Sequence, residues 1–209
     1  MTRKTLSQNL WLQRKKTDRF FTNAKREGFR ARSAYKLIEI NNKFSILKTN
    51  LRVVDLGAAP GSWSQVVSRT IFKGEIKKSI FAIDINKIAP IKGVITIQEN
   101  IKDILIKNSY FNNNSLDLVL SDMAPKSTGH KFTDQVNSDN LSNIALVFAK
   151  NYLKENGDFV CKLLGGNFNK NLILQAKKYF KTVKYFKPAA SRKDSKEIYL
   201  ICLRFNNLQ

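Results

Sequence analysis

With 209 residues, 43% of them hydrophobic, the chain is long enough to bury one core and reads as a single α/β domain spanning 1–209. Its 37 Lys and Arg stand against 16 Asp and Glu, a net charge of +21, which points to a polyanionic partner and to nucleic acid first. No apolar run approaches the roughly 18–20 residues of a membrane-spanning helix, and the opening "MTRKTLSQNLWLQRKK" lacks the apolar core of a signal peptide.

Residues 1–32 form a basic arm with ten Lys/Arg and two acids. "SAYKLIEINNKF" (33–44) predicts a helix capped by Ser33. "LRVVDL" (51–56) predicts a strand and "SWSQVVSRTI" (62–71) a helix, with a glycine turn between them. "SIFAIDI" (79–85) is a strand ending at Asp84, and "GVITIQ" (93–98) is a strand followed by Glu99 and Asn100. "LDLVLSD" (116–122) is a strand ending on Asp122. "NIALVFAKNYL" (143–153) predicts a helix stopped by Asn156-Gly157, and "DFVCKLL" (158–164) the next strand. "NLILQAKKYF" (171–180) is a helix, and "TVKYFK" (182–187) and "EIYLICLRF" (197–205) are the last strands. Seven strands with interleaved helices predict a doubly wound, mostly parallel sheet with helices on both faces. The loop 188–196 is too short and polar for a helical crossover, so the last strand is expected to run antiparallel. Residues 177–196 carry eight Lys/Arg and one acid, a second basic cluster that can meet the arm as one phosphate-contacting face.

Cys161 and Cys202 each lie in an apolar run. Buried free thiols and a reducing, cytoplasmic compartment are therefore expected. The lone His130 sits in the loop "KSTGHKFTD", and no metal site is expected.

In such sheets ligands bind at the carboxyl ends of the strands. There the chain places Asp55, Asp84, Asn100 and Asp122, with Gly57 and Gly61 in the first turn. The turn Gly57-Ala58-Ala59-Pro60-Gly61 lacks the G-x-G-x-x-G spacing of dinucleotide sites, and no G-x-x-x-x-G-K-[ST] phosphate loop is present. A ligand with a ribose, an adenine and a cationic tail, but no phosphate, fits better. Asp84 can take the ribose hydroxyls, and Asn100 the adenine amino group. Asp55 and Asp122 can face a sulfonium. That ligand is S-adenosylmethionine.

The blocks "RARSAYKLIEI", "VVDLGAAPGSWSQVV", "SDMAP", "VCKLL" and "SRKDSKEIYL" together resemble the FtsJ-type ribose 2′-O-methyltransferases, from about Trp11 to Leu203. The resemblance implies a Rossmann-like methyltransferase fold and a catalytic Lys-Asp-Lys-Glu tetrad. Motif by motif, the tetrad falls on Lys36, Asp122, Lys162 and Glu197. The donor-binding positions fall on Gly61, Trp63, Asp84, Asn100 and Asp122. Ser62 stands where the bacterial pattern has Gly, and Asn100 where it has Asp.

Methyl transfer to a ribose hydroxyl requires in-line alignment and removal of the hydroxyl proton. Lys162 can accept that proton if it is neutral. A nearby Lys36 and a sulfonium lower a lysine pKa, whereas Asp122 and Glu197 raise it, so the balance stays open at this stage. Lys36 can steady the ribose or the developing oxyanion. "SDMAP" lacks the Asp/Asn-Pro-Pro-aromatic motif of amine methylation, and Cys161 is ill placed for attack on a base. The resemblance implies an RNA substrate, with a uridine ribose in the A-loop of large-subunit rRNA favoured. That rRNA is expected within an assembled large subunit, and the protein is expected to be a monomer. A tRNA ribose, or a non-catalytic RNA-binding module of the same fold, remain the alternatives.

Overall fold

The computed structural model describes residues 18–71, 80–107, 110–165, 170–192 and 194–206. Arm residues 1–17 lie outside them. In chain order the elements are α1 (Arg19–Arg26), α2 (Ala34–Phe44), β1 (Val53–Leu56), α3 (Ser62–Ile71), β2 (Ile80–Asp84) and β3 (Val94–Gln98). Then follow α4 (Ile101–Lys107), β4 (Leu116–Ser121), α5 (Lys131–Tyr152), β5 (Leu153–Leu163), α6 (Lys170–Tyr179), β6 (Phe180–Phe186) and β7 (Ile198–Phe205).

The seven strands form one sheet in the order β3-β2-β1-β4-β5-β7-β6. The pairs from β3 through β5 are parallel, and β7 runs antiparallel to both β5 and β6. The chain order reverses between β1 and β4, which opens a crevice at their carboxyl ends. Alternation along the strands sorts side chains to two faces. Val54, Val119, Phe159 and Cys161 pack with α5 residues such as Phe148 and Tyr152 on one face. Val53, Leu118, Leu120, Val160 and Ile201 pack with Leu37 and Ile40 of α2 and Trp63 and Val67 of α3 on the other.

Four local departures from the predicted elements have physical causes. α1 lies inside the stretch read only as a basic arm, and Asp18 nucleates it by accepting from Phe20 N and Phe21 N. α4 follows Asn100 directly, and Asn100 Oδ1 accepts from Lys102 N at 3.0 Å. α5 begins at Lys131, twelve residues before the predicted 143, although "KFTDQVNSDNLS" has weak helix propensity. Tertiary bonds hold that extension: Asp134 accepts from Thr128 N and Ser127 Oγ, and Gln135 Nε2 donates to Leu164 O. α5 ends at Tyr152, one residue short of the predicted 153, but β5 starts at once at Leu153, five residues before the predicted 158, so Asn156-Gly157 does not separate helix from strand. Those two residues lie within β5, where Asn156 has φ 61° and the β4–β5 register shifts between Leu116 and Leu118.

Ser33 immediately precedes α2 but makes no side-chain cap. Its hydroxyl instead meets Ser62 Oγ at 2.7 Å, joining α2 to α3.

Among the described residues, the segment 18–39 and the loop 188–196 touch beside the carboxyl edge of the sheet. Arg32 pairs with Asp18 and donates to Ala190 O, while Glu39 accepts from Ala189 N and Ala190 N. The cluster 177–196 is nonetheless divided. Lys177, Lys178 and Lys181 lie near the start of β6, at the opposite edge from the loop after Phe186.

Candidate active site

Strand parity assembles the four tetrad candidates. Leu118, Leu120 and then Asp122 run along the α2/α3 face of β4, as Val160 and Lys162 do along β5. Across the antiparallel pair, Lys162 faces Tyr199, so both side chains share that face. Glu197, two residues before Tyr199, has the same parity. Lys36 reaches in from α2.

Two ion pairs result. Lys36 Nζ lies 2.7 Å from Glu197 Oε1, and Lys162 Nζ lies 3.0 Å from Asp122 Oδ1. Lys162 also donates to the backbone oxygen of Asp122, and Ser191 Oγ donates to Glu197 Oε1. Lys162 is only 7% exposed, so a solvated strand-end lysine is not what the fold makes of it.

Tyr199, which sequence reading did not single out, links the two pairs. Its hydroxyl donates to Asp122 Oδ1 at 2.7 Å, and Lys36 Nζ sits 5.9 Å from its ring centroid. Trp63 packs against that ring at 5.6 Å and donates its indole N–H to Ser33 O. Trp63, which the resemblance placed among the donor-binding positions, is buried core that buttresses the tetrad and does not line the cavity beside it. The sequence signal for Tyr199 was its place two residues from Glu197 on a strand.

Beside the tetrad a cavity of about 500 Å³ opens at the carboxyl ends of β1 to β4. Gly57, Asp84, Asn100, Asp122 and Met123 are among its lining residues. Asp122 thus belongs to both the cavity and the tetrad. Gly57 has φ +70°, and a Cβ there would stand 2.5 Å from Met123 Cγ, so only glycine keeps this turn against the Met123 wall. Asp84 accepts from Ala59 N at 2.9 Å and from Asn86 N at 2.7 Å, tying the turn after β1 to the loop after β2. The oxygen of Asn100 is oriented by its cap to Lys102, which leaves the amide N–H₂ and a second lone pair for a ligand.

Asp55 and Gly61 were expected in the pocket, but neither lines the cavity. Asp55 is fully buried and accepts from Ser64 Oγ at 2.6 Å, while its Oδ1 has no hydrogen-bond partner. Burial, and to a smaller degree Asp122 and Asp84, push its carboxyl up to about 7 against the pull of Ser64. Gly61 faces away from the cavity, toward Arg30 and Ile91.

A family model described as FtsJ-like methyltransferase matches residues 29–205. The chain belongs to the FtsJ-like methyltransferase family. It is 43% identical to the ribosomal RNA large subunit methyltransferase E of Ehrlichia chaffeensis over 201 residues, 96% of this chain and 94% of that one. A Plasmodium falciparum protein described as a ribosomal RNA methyltransferase superposes with a TM-score of 0.70 at 33% identity, covering 85% of this chain and 98% of that one. A Streptococcus mutans protein described as a methyltransferase, solved in complex with SAH, shares the fold alone, with a TM-score of 0.52 at 14% identity over 80% of this chain and 97% of that one.

As an FtsJ-like methyltransferase, the chain takes its methyl group from S-adenosylmethionine. The cavity suits that donor in size and polarity. A carboxylate (Asp84) and an amide (Asn100) stand at neighbouring strand ends, with Asp122 at the tetrad side. Among the described residues no group of three His, Cys, Asp or Glu is placed to hold a metal ion, and no helix is long and apolar enough to cross a membrane.

Proposed function

We propose that this FtsJ-like methyltransferase methylates a ribose 2′-hydroxyl of large-subunit ribosomal RNA. The observation that carries the reading is the Lys36–Glu197 and Lys162–Asp122 pairing, joined through Tyr199 at the mouth of the donor cavity. A hydroxyl nucleophile needs a base and a cation, and this arrangement offers both. Attack on a base carbon through a covalent cysteine adduct would need an accessible thiolate. Burial pushes the Cys161 thiol up to about 12 and raises that of Cys202 as well. The relatives named above as ribosomal RNA methyltransferases support RNA as the substrate.

The donor supplies a methyl group on a positively charged sulfur. Asp84 would hold its ribose hydroxyls, and the Asn100 amide its adenine edge. Asp55 and Gly61 would shape the turn from behind rather than touch the donor. To act as the base Lys162 must first give up its ammonium proton to solvent; the deprotonated amine keeps two N–H groups for Asp122 Oδ1 and the Asp122 carbonyl. That leaves its lone pair for the proton of the incoming 2′-hydroxyl. As the O–C bond forms and the C–S bond breaks, the proton passes to Lys162 and the sulfur becomes neutral. Glu197, itself held by Ser191, orients Lys36 toward the acceptor oxygen. In the finer reading, the acceptor is a uridine of the A-loop, presented within an assembled large subunit to a monomeric enzyme.

The test uses RNA or large subunits lacking the modification. The methylated nucleotide should resist alkaline cleavage, since its 2′-oxygen can no longer attack the adjacent phosphate. A substrate with a 2′-deoxy nucleotide at the target should bind and accept no methyl group. Mass spectrometry that finds label on a base, or transfer to the 2′-deoxy substrate, would overturn the assignment.

A further inference from the structure

Arg30 lies outside the donor cavity yet contacts both loops that border it. Its Nη1 donates to Pro60 O at 2.9 Å and to Ala89 O at 2.7 Å. Its Nη2 donates to Pro90 O at 2.8 Å. Pro60 belongs to the turn after β1, whose Gly57 and Ala59 line the cavity. Ala89 and Pro90 belong to the loop after β2, whose Ile85 and Asn86 line it. Asp84 bridges the same two segments from the cavity side through Ala59 N. Arg30 closes that bridge from behind.

The surroundings are built to place this guanidinium. The backbone N–H of Arg30 donates to Gln65 Oε1 at 2.8 Å, and Gln65 Nε2 donates to Gly28 O at 3.0 Å. α3, which follows the donor turn, therefore holds the segment that carries Arg30. Gly61 has φ +104°, and a Cβ there would stand 2.8 Å from Arg30 Nη1. The missing side chain leaves the passage for the guanidinium. This accounts for Gly61 without requiring it to touch the donor.

We infer that Arg30 is a positioning residue for donor binding, setting the separation of the two loops that form the donor pocket. The inference rests on the reading of that cavity as the donor site. Its three carbonyl bonds on two separate segments need a planar fork, which a lysine ammonium does not offer. A residue that reads in the sequence as part of an RNA-contacting basic arm is thereby committed to the two pocket loops.

The experiment uses the full chain with R30K and R30M, titrated calorimetrically with S-adenosylhomocysteine and separately with RNA at several salt concentrations. Both variants should weaken S-adenosylhomocysteine binding by about tenfold, through lost pre-organisation of the pocket. The KM for S-adenosylmethionine should rise while kcat at saturating donor stays near wild type. RNA affinity and its salt dependence should be unchanged. R69M is the comparator: Arg69 holds Glu27 O and Gly28 O in the same segment but neither pocket loop, so its donor affinity should match wild type. Should R30M fail to fold, R30K alone carries the test. Wild-type donor affinity in R30K would overturn the inference. So would lost RNA affinity with donor binding intact, which would make Arg30 a phosphate contact, or an equal donor defect in R69M. Asp84→Ala in the same titration separates the two readings. A defect there with none in R30K overturns the role of Arg30 alone, and no defect in either overturns the pocket reading.

Discussion

The Tyr199 hydroxyl donates to Asp122 Oδ1 at 2.7 Å, on the same carboxylate oxygen that lies 3.0 Å from Lys162 Nζ. One oxygen therefore serves a buried phenol and a buried amine. Burial and the nearby Asp122 raise the Tyr199 pKa well above its ordinary value, so the phenol stays a donor across the working pH range. It fixes the rotamer of Asp122, and through it the position of Lys162. Tyr199→Phe keeps the ring that packs on Trp63 and removes only this bond. We expect single-turnover methyl transfer to fall by about tenfold, of the order of one lost buried hydrogen bond, with donor affinity near wild type. Rapid-quench assays would check it, and an unchanged rate would show that Lys162 holds its place without the phenol.

Asp84 has two tasks that one substitution removes together. It accepts from Ala59 N and Asn86 N, and it faces the cavity. Asp84→Ala should weaken donor binding by about 1–3 kcal/mol, through lost ligand bonds and a loosened turn. Calorimetry with S-adenosylhomocysteine is the measurement, and unchanged affinity would remove Asp84 from the donor site.

Much of this architecture could be read in advance because short, near-continuous apolar runs ending in acids mark parallel strands buried on both faces. "SIFAIDI" and "LDLVLSD" are such runs, and they placed Asp84 and Asp122 at the carboxyl edge of the sheet. The antiparallel β7 followed from the short loop before it. What escaped is what local pattern does not encode. The start of α5 at Lys131 depends on Asp134 and Gln135 finding partners in the chain before Lys131 and after β5. Asn100 was read as a ligand contact, and its role as helix cap appears only once α4 is seen to follow it. Asp55 and Trp63 share their motif with the pocket residues, but strand parity and α3 turn them inward. Tyr199 and Arg30 are linked to the site by contacts across 77 and 30 positions, which no local window covers.

Lys162→Ala tests the base. The substitution removes the amine and leaves Asp122 with the Tyr199 bond, so the donor side of the pocket keeps its shape. Single-turnover methylation should drop by at least about a hundredfold, the usual scale of a general base, while S-adenosylhomocysteine affinity stays within about threefold of wild type. Wild-type-like turnover in this variant would exclude Lys162 from proton transfer.

Asp55 yields a pH prediction with a definite sign. Its carboxyl is fully buried and its pKa stands near 7, mainly through burial, against an ordinary value of 3.8. Between those values the folded protein holds a proton that the unfolded chain has released. The stabilising contribution of the protonated group is complete below about pH 4 and is lost as pH rises toward 7, levelling beyond it. Asp55→Asn replaces the carboxyl with an amide of the same shape that does not titrate and whose oxygen can still accept from Ser64. Relative to the variant, the wild type should therefore lose up to about 4 kcal/mol of unfolding free energy between pH 4 and 8. Paired denaturant titrations across that range would measure the difference directly. A gap that does not change with pH would mean that Asp55 titrates as an ordinary carboxylate. In that case some group on the α3 side of β1 would have to supply the missing partner for its Oδ1.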